Sequence, residues 1–369
     1  MKIKQVQAHV LKSVPSEALE GFRNGGPHKL LRTDPVLRDN WISFTALDWN
    51  SIENCLDIGM TAFDTDILWR FFPSSRKFES LGFSQVANDP QRIKIHRGLT
   101  PDREGGCYFG TAGLPDLDER NDTIGGGVYH YTDGRYEFLG VPIPHDYIQN
   151  IEVDLERHRV YGISYPGMCF FDYDYENRKT IFSLFTRSHF HESGLDDDGF
   201  FWGTWSTRRG HCLFRYHPEI GRPEFFYDPI PNLGPDHPFQ FTMNGPIDSF
   251  LNGGDGFLYF GTTMGELYRL DPKSGKHSLL GRPSPGFRLS GLVLGPEGKL
   301  LGSYGAYSKT GLFLYDKTTG EFADLGSLRD EADACFMVHD IAWDGGAHVF
   351  AAETDNLDRS GYLWEATLG

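Results

Sequence analysis

Long apolar runs are missing from this sequence. Nothing in it approaches the roughly 18 residues of a membrane-spanning helix, and the opening stretch Met1 to Glu20 has no continuous apolar core of a secretory leader. Cysteine is scarce: five residues, an odd number and widely scattered, do not make a disulfide framework. Positive charge is also short, with 35 Lys and Arg against 51 Asp and Glu and a net charge of −16. That balance argues against an extended nucleic-acid or anionic-membrane surface, which needs a basic face. It still allows a local anion pocket built from a few arginines. No phosphate loop, dinucleotide fingerprint or G-x-S-x-G elbow is present, and no tract reads as an interdomain linker. The expectation is one domain, residues 1–369, in a reducing cytoplasmic setting (or a secreted one if a leader was removed), with neither nucleic acid nor membrane as partner.

What is abundant is glycine, 44 residues, and aromatic residues, 14% of the chain. Both suit many short strands joined by tight turns. A short phrase alternating apolar or aromatic residues with polar ones recurs seven times. It reads Leu68-Trp69-Arg70-Phe71, Val128-Tyr129-His130-Tyr131, Phe170-Phe171-Asp172-Tyr173, Leu213-Phe214-Arg215-Tyr216, Leu267-Tyr268-Arg269-Leu270, Leu312-Phe313-Leu314-Tyr315 and Tyr362-Leu363-Trp364-Glu365. Successive copies lie 42 to 60 residues apart, the period of propeller blades. Before most copies a strand ends in Gly plus a small residue, as at Gly59, Gly110, Gly203, Gly261 and Gly302; after most, another strand ends near Leu-Gly.

The predicted fold is therefore all-β: a seven-bladed β-propeller of four-stranded antiparallel blades. The last unit stops at Gly369 after its third strand, so the N-terminal segment around Gln5 to Leu11 is predicted to supply the fourth and close the ring, hiding an edge. Lys12 to Asn40 reads as a long irregular crossing to the first blade.

Aligning the units on the glycine that ends the second strand puts one position of each inner strand at the mouth of the central channel. It is His96, Gln149, His191, Asp248, Ser290 and His339 in blades two to seven, with no clear match in blade one. The loops on the same face offer Asp64, the insertion 113–127, Tyr165, Trp205 with Arg208 and Arg209, Tyr304 with Tyr307, and Glu353, Asn356 and Arg359; Arg97 follows His96 directly. Convergent polar groups in a concave mouth make a default binding site, although polar residues in a wet channel can also do no more than satisfy water and backbone. Aromatic faces that stack on a ring and arginines that pair with carboxylates suit a small oligosaccharide bearing an acidic group. His130, His158 and His217 read as structural. Cys169, Cys212 and His211 admit a structural zinc site or simple packing, since a four-ligand motif is not visible.

The stretches Ile93 to Leu99, Pro144 to Gln149 and Glu353 to Trp364 resemble the seven-bladed propeller polysaccharide lyases, in particular the ulvan lyases and rhamnosyl-glucuronate lyases with a related α-L-rhamnosidase group. The resemblance implies cleavage of a uronic-acid-containing oligosaccharide by β-elimination, with no cofactor required. It implies His96 as base, Tyr165 as the tyrosine that acts as acid or base, Arg208 or Arg209 as the group that neutralises the uronate carboxylate, and His145 as a second family histidine. Neutralising the carboxylate matters because the C5 proton is only weakly acidic until that charge is screened.

Three other readings stand beside it. A glycoside hydrolase requires two carboxylates flanking the bond, for which Asp64, Asp248 and Glu353 are candidates. A metal-dependent lyase, as in some oligogalacturonate lyases, would hold a divalent ion on His96, His191 and His339 with Gln149 or Asp248; imidazole and oxygen donors suit manganese, zinc or nickel. A non-catalytic sugar-binding propeller is the fourth, since the fold does not dictate a function.

Overall fold

The computed structural model describes residues 1–25, 27–86, 92–114, 118–232 and 245–369, with side chains left out over 21–29. Seven four-stranded antiparallel sheets follow one another along the chain. Blade 1 runs Ser43–Asn50, Cys55–Thr61, Leu68–Phe72 and Lys77–Ser80, and blade 2 Leu99–Pro101, Cys107–Gly110, Val128–Thr132 and Arg135–Gly140. Blade 3 runs Tyr147–Asp154, Arg159–Tyr165, Cys169–Asp174 and Lys179–Phe185, and blade 4 Gly194–Leu195, Phe201–Thr207, Gly210–His217 and Arg222–Ile230. Blade 5 runs Ile247–Asn252, Leu258–Thr262, Leu267–Asp271 and Lys276–Gly281, and blade 6 Gly291–Leu294, Leu300–Tyr304, Gly311–Asp316 and Glu321–Ser327. Blade 7 takes Val338–Trp343, His348–Glu353 and Leu363–Leu368, and its outer strand is the N-terminal Ile3–His9. Val6 pairs with Ala366 and His9 with Leu363, so the first strand latches the last blade as the sequence predicts.

All seven copies of the aromatic phrase lie on third strands, where their apolar positions fill the layers between blades: Phe71, Phe171, Phe214, Leu270, Phe313 and Trp364 are fully buried. The second-strand glycines have a packing reason. A Cβ on Gly110 would lie 2.6 Å from Ile148 Cγ2 on the next blade's inner strand, and one on Gly261 would lie 2.5 Å from Leu289 Cβ. Close approach of neighbouring backbones therefore selects glycine there.

The crossing segment departs from expectation. Three short helices, Ser16–Gly25, Pro27–Thr33 and Pro35–Asn40, occupy what the sequence presents as irregular. The third starts on Asp34, whose carboxylate accepts from the backbone N–H of Val36 (2.9 Å) and Leu37 (3.1 Å), with Pro35 in the first turn. Leu19, Leu31, Leu37 and Trp41 form a small core that packs on Phe63 and Leu357, in the mouth-face loops of blades 1 and 7. The helices are individually too short to show a long apolar period, and tertiary packing stabilises them.

Candidate functional site

Four of the inner strands share one irregularity at the channel mouth. Their pairing with the second strand slips at Thr45, Gln149, Asp248 and His339. A bulge of this kind re-aims a side chain, and with His96, His191 and Ser290 these residues form one ring. Thr45 is thus the blade 1 member that the sequence alignment leaves blank. Ring centroids of His96 lie 4.8 Å from His339 and 5.6 Å from His191, and His191 is 6.5 Å from His339. Each Nδ1 turns to an oxygen: His96 to the Gln149 carbonyl (3.1 Å), His339 to the Thr45 carbonyl (2.7 Å) and His191 to Asp248 Oδ1 (3.5 Å). For His96 and His339 the Nδ1 therefore carries the proton, leaving Nε2 with its lone pair. Burial, with the nearby Lys94 and Arg97 charges and the neighbouring imidazoles disfavouring a further proton at His96, holds these three imidazoles well below their ordinary pKa, so they are neutral.

Directly against this ring lies a buried ion cluster. Asp248 accepts from Arg288 Nε (2.7 Å) and Nη2 (3.1 Å), and from Arg97 Nη2 (3.3 Å). Arg97 also donates to the carbonyls of Asp248 (2.8 Å) and Ser290 (2.9 Å) and to Glu192 Oε1 (3.0 Å). Burial raises the Asp248 pKa, but the two guanidinium groups outweigh it and hold the carboxylate ionised, below its usual range.

Outward from the ring the row of rings continues from His191 to His189 (5.2 Å) and from His189 to Tyr165 (4.6 Å). Burial and the Lys94 charge bring His189 down to about 3. Lys94 is fixed by its backbone, which exchanges hydrogen bonds with Ala112. Its ammonium makes no hydrogen bond or ion pair among the described residues, and burial brings it down to about 8, with Asp355 opposing and Arg97 adding to the shift. Asp355 faces Lys94 and Arg288 alike, as the electrostatic partner of both. Tyr307, half exposed, packs edge-on to Phe336 (5.5 Å) and adjoins Arg288.

Other sequence candidates sit elsewhere. Arg208 and Arg209 are exposed at the tip of the tight Thr207–Gly210 hairpin, without ion pairs to channel residues. Trp205 donates to the Phe226 carbonyl (3.2 Å) and Tyr304 to Asp324 (2.9 Å), both toward the outer strands of their own blades. His145 is exposed, with Nδ1 on the Thr123 carbonyl (2.8 Å). Glu353 is fully buried and accepts from Arg359 Nη2 (3.0 Å), Asn356 (3.1 Å), Trp364 Nε1 (3.1 Å) and the backbone N–H groups of Phe336 and Tyr362. That network closes the mouth-face loop of blade 7 on itself. Asp64 pairs with Arg38 of the third helix (2.8 Å). Cys169 and Cys212 are free thiols, and His211 Nδ1 meets Ser188 Oγ at 2.8 Å. No group of three or more His, Cys, Asp or Glu side chains among the described residues is arranged as a metal cluster.

Three groups at the mouth escape the sequence reading: Lys94, His189 and Arg288. His189 had a signal, since the alternation His189-Phe190-His191 puts both imidazoles on one face of an extended chain. Lys94 and Arg288 precede the inner strands of blades 2 and 6, outside the aligned channel position.

No protein-family model matches the sequence, and no curated protein matches it. Solved structures do match in fold. The extracellular domain of a putative hybrid two-component system from B. thetaiotaomicron is 18% identical with a TM-score of 0.55, over 88% of this chain and 38% of that one. This chain thus spans well under half the length of that protein's chain. A chain of the mitotic checkpoint complex is 10% identical with a TM-score of 0.58, over 100% of this chain and 92% of that one. At such identities the likeness establishes the propeller and nothing finer.

Proposed function

We propose that the channel mouth is the active site of a carbohydrate lyase that cleaves a uronic-acid-containing oligosaccharide by β-elimination. The observation that carries this reading is the ammonium of Lys94, which makes no hydrogen bond or ion pair among the described residues, feels Asp355 only through space, and acts on the neutral His189, itself in ring contact with Tyr165. A uronate carboxylate paired with Lys94 loses the charge that suppresses ionisation at C5. His189 takes the C5 proton, the C5–H electrons form the C4=C5 double bond, and the C4–O bond breaks. Tyr165, in ring contact with His189, gives its proton to the leaving oxygen and recovers one from His189. The Lys94 charge is one cause of the low His189 pKa. Binding the carboxylate offsets that charge, so the substrate itself strengthens the base.

A specific observation favours a second, metal-assisted version. Nδ1–H donation to a backbone carbonyl by His96 and His339 is the outer-sphere pattern that orients ligating imidazoles. His96, His191 and His339 are not arranged as a metal cluster as they stand, so they would have to draw together to hold a divalent ion, which would supply Lewis-acid screening of the carboxylate. The hydrolase alternative finds less support: Asp64, Asp248 and Glu353 are each paired with an arginine, whereas the acid of such a pair needs a raised pKa. The test is ultraviolet absorbance of the unsaturated uronate during incubation with rhamnosyl-glucuronate, ulvan and pectin fragments, with and without EDTA. Absorbance that grows regardless of EDTA supports the Lys94 route; growth abolished by EDTA supports the metal route. Sugar release without absorbance overturns both.

A further inference from the structure

Acidic side chains dominate this molecule, from its net charge of −16 to the cavity of about 150 Å³ just below the histidine ring, which Glu152, Glu192 and Asp340 help to line. One stretch of the mouth-face rim is the exception. No Asp or Glu occurs between Glu176 and Glu192, nor between Asp198 and Glu219, the two segments that carry adjoining loops of blades 3 and 4. The carbonyl of Thr186 accepts from the backbone N–H of Ser206 (2.9 Å), which holds Arg187 beside the hairpin whose tip carries Arg208 and Arg209. All three arginines are exposed, and none of their guanidinium groups has a hydrogen bond or ion pair among the described residues.

The same rim exposes aromatic surface. Tyr227, on the outer strand of blade 4, is 69% exposed and packs edge-on to Trp205 (5.4 Å). Trp205 spends its indole N–H on the Phe226 carbonyl, so what it offers a ligand is apolar surface. Leu184 of the blade 3 outer strand, and Phe225 at 4.7 Å from Trp205, lie half-buried against the same core. Asp228, the residue after Tyr227, turns to His277 of blade 5 (4.0 Å), on the opposite face of the strand.

We propose that this rim docks an acidic protein segment that also carries apolar side chains. Its carboxylates pair with Arg187, Arg208 and Arg209, and an apolar side chain packs against Tyr227, Trp205 and Leu184. Charge complementarity selects the partner: three guanidinium groups without counter-ions form a local anion site on a protein whose net charge otherwise repels anions. Trp, Tyr and Arg are also the residues that dominate the centres of protein–protein interfaces. An acidic polysaccharide would press hydroxyl groups onto Leu184 and Phe225, whose side chains give them no hydrogen-bond partner. The apolar floor therefore favours a peptide. The surface is built on outer strands and loop tips, apart from the histidine ring, and does not depend on the lyase reading.

The experiment is fluorescence anisotropy of the intact protein with a labelled peptide in which glutamates flank a Phe-Leu pair. Control peptides replace the glutamates by glutamines or the Phe-Leu pair by alanines. The expected result is saturable binding that weakens from about 50 mM to about 500 mM salt and is about ten-fold weaker for either control. Replacing Arg187, Arg208 and Arg209 together by serine should weaken it about ten-fold, and Tyr227→Ala about five-fold. These positions are exposed, so each set tests the surface separately, with circular dichroism confirming the fold. Lys94→Met should bind the peptide as the wild type does. No saturable binding, equal binding of the glutamine peptide, or binding indifferent to both sets of substitutions overturns the proposal. So does loss of binding in folded Lys94→Met, which would place the peptide at the mouth, or tighter binding of polygalacturonate, which would make the occupant a polysaccharide.

Discussion

The two halves of the channel are mirror images in acid–base terms. On the mouth side burial weakens bases: three ring imidazoles and His189 are neutral, and Lys94 falls to about 8. On the cavity side burial weakens acids: Glu152 and Glu192 rise to about 8 and Asp340 to about 6. The same physical cause, removal of charge from water, acts on both. What differs is the residue type that each layer of the inner strands presents. Between them the Arg97–Asp248–Arg288 cluster keeps full charge because its members satisfy one another. The channel thus presents weakened bases at one level and weakened acids at the next.

The largest test of this partition is to break the layer between. Asp248→Ala removes the carboxylate hydrogen-bonded to Arg288 and one of the acceptors of Arg97, which keeps Glu192, and should cost about 3–5 kcal/mol in denaturant unfolding. A loss within a few tenths would show the layer to be water-filled and the two halves continuous. Next in size, Lys94→Met should lower turnover by about 10²–10³-fold, the range for removing one stabiliser of developing charge. Wild-type turnover should fall as pH rises through about 8, because only the ammonium binds the carboxylate. In titration of the imidazoles by NMR, His96, His189, His191 and His339 should keep neutral shifts well below pH 6.5.

The smallest effect belongs to the cavity. Glu192 holds its proton in the folded state up to about 8 but only to about 4.5 when unfolded. Its stabilising contribution is therefore complete below the unfolded value and is lost as pH rises through the folded one. Glu192→Gln, which has no proton to hold, should raise stability near neutrality and should flatten the decline that the wild type shows toward pH 8.

Much of this arrangement was legible in the sequence. The recurring phrase fixes blade count and strand order because alternation and turn chemistry are local, and the glycines before it mark where neighbouring blades touch. The channel histidines His96, His191 and His339 could be found by counting back from those glycines. Partner choice is not local. Glu353, Asn356 and Arg359 read as rim chemistry, yet they bind one another inside a loop. Arg97 read as a substrate contact, whereas it spans Asp248 and Glu192. Lys94 and Arg288 stayed hidden because the loops between blades have no fixed length to count along. The helices over 16–40 escaped because the Gly25-Gly26-Pro27 break divides their apolar spacing.

The account stands most directly on whether Lys94 and His189 act at one elimination site. The deciding measurement is the absorbance of unsaturated uronate produced by wild type, Lys94→Met and His189→Ala from the same rhamnosyl-glucuronate fragments. The account predicts a rising signal for the wild type that both substitutions suppress, with each variant still folded by circular dichroism. A wild-type signal that survives both substitutions, or no signal from any uronate fragment, would contradict it.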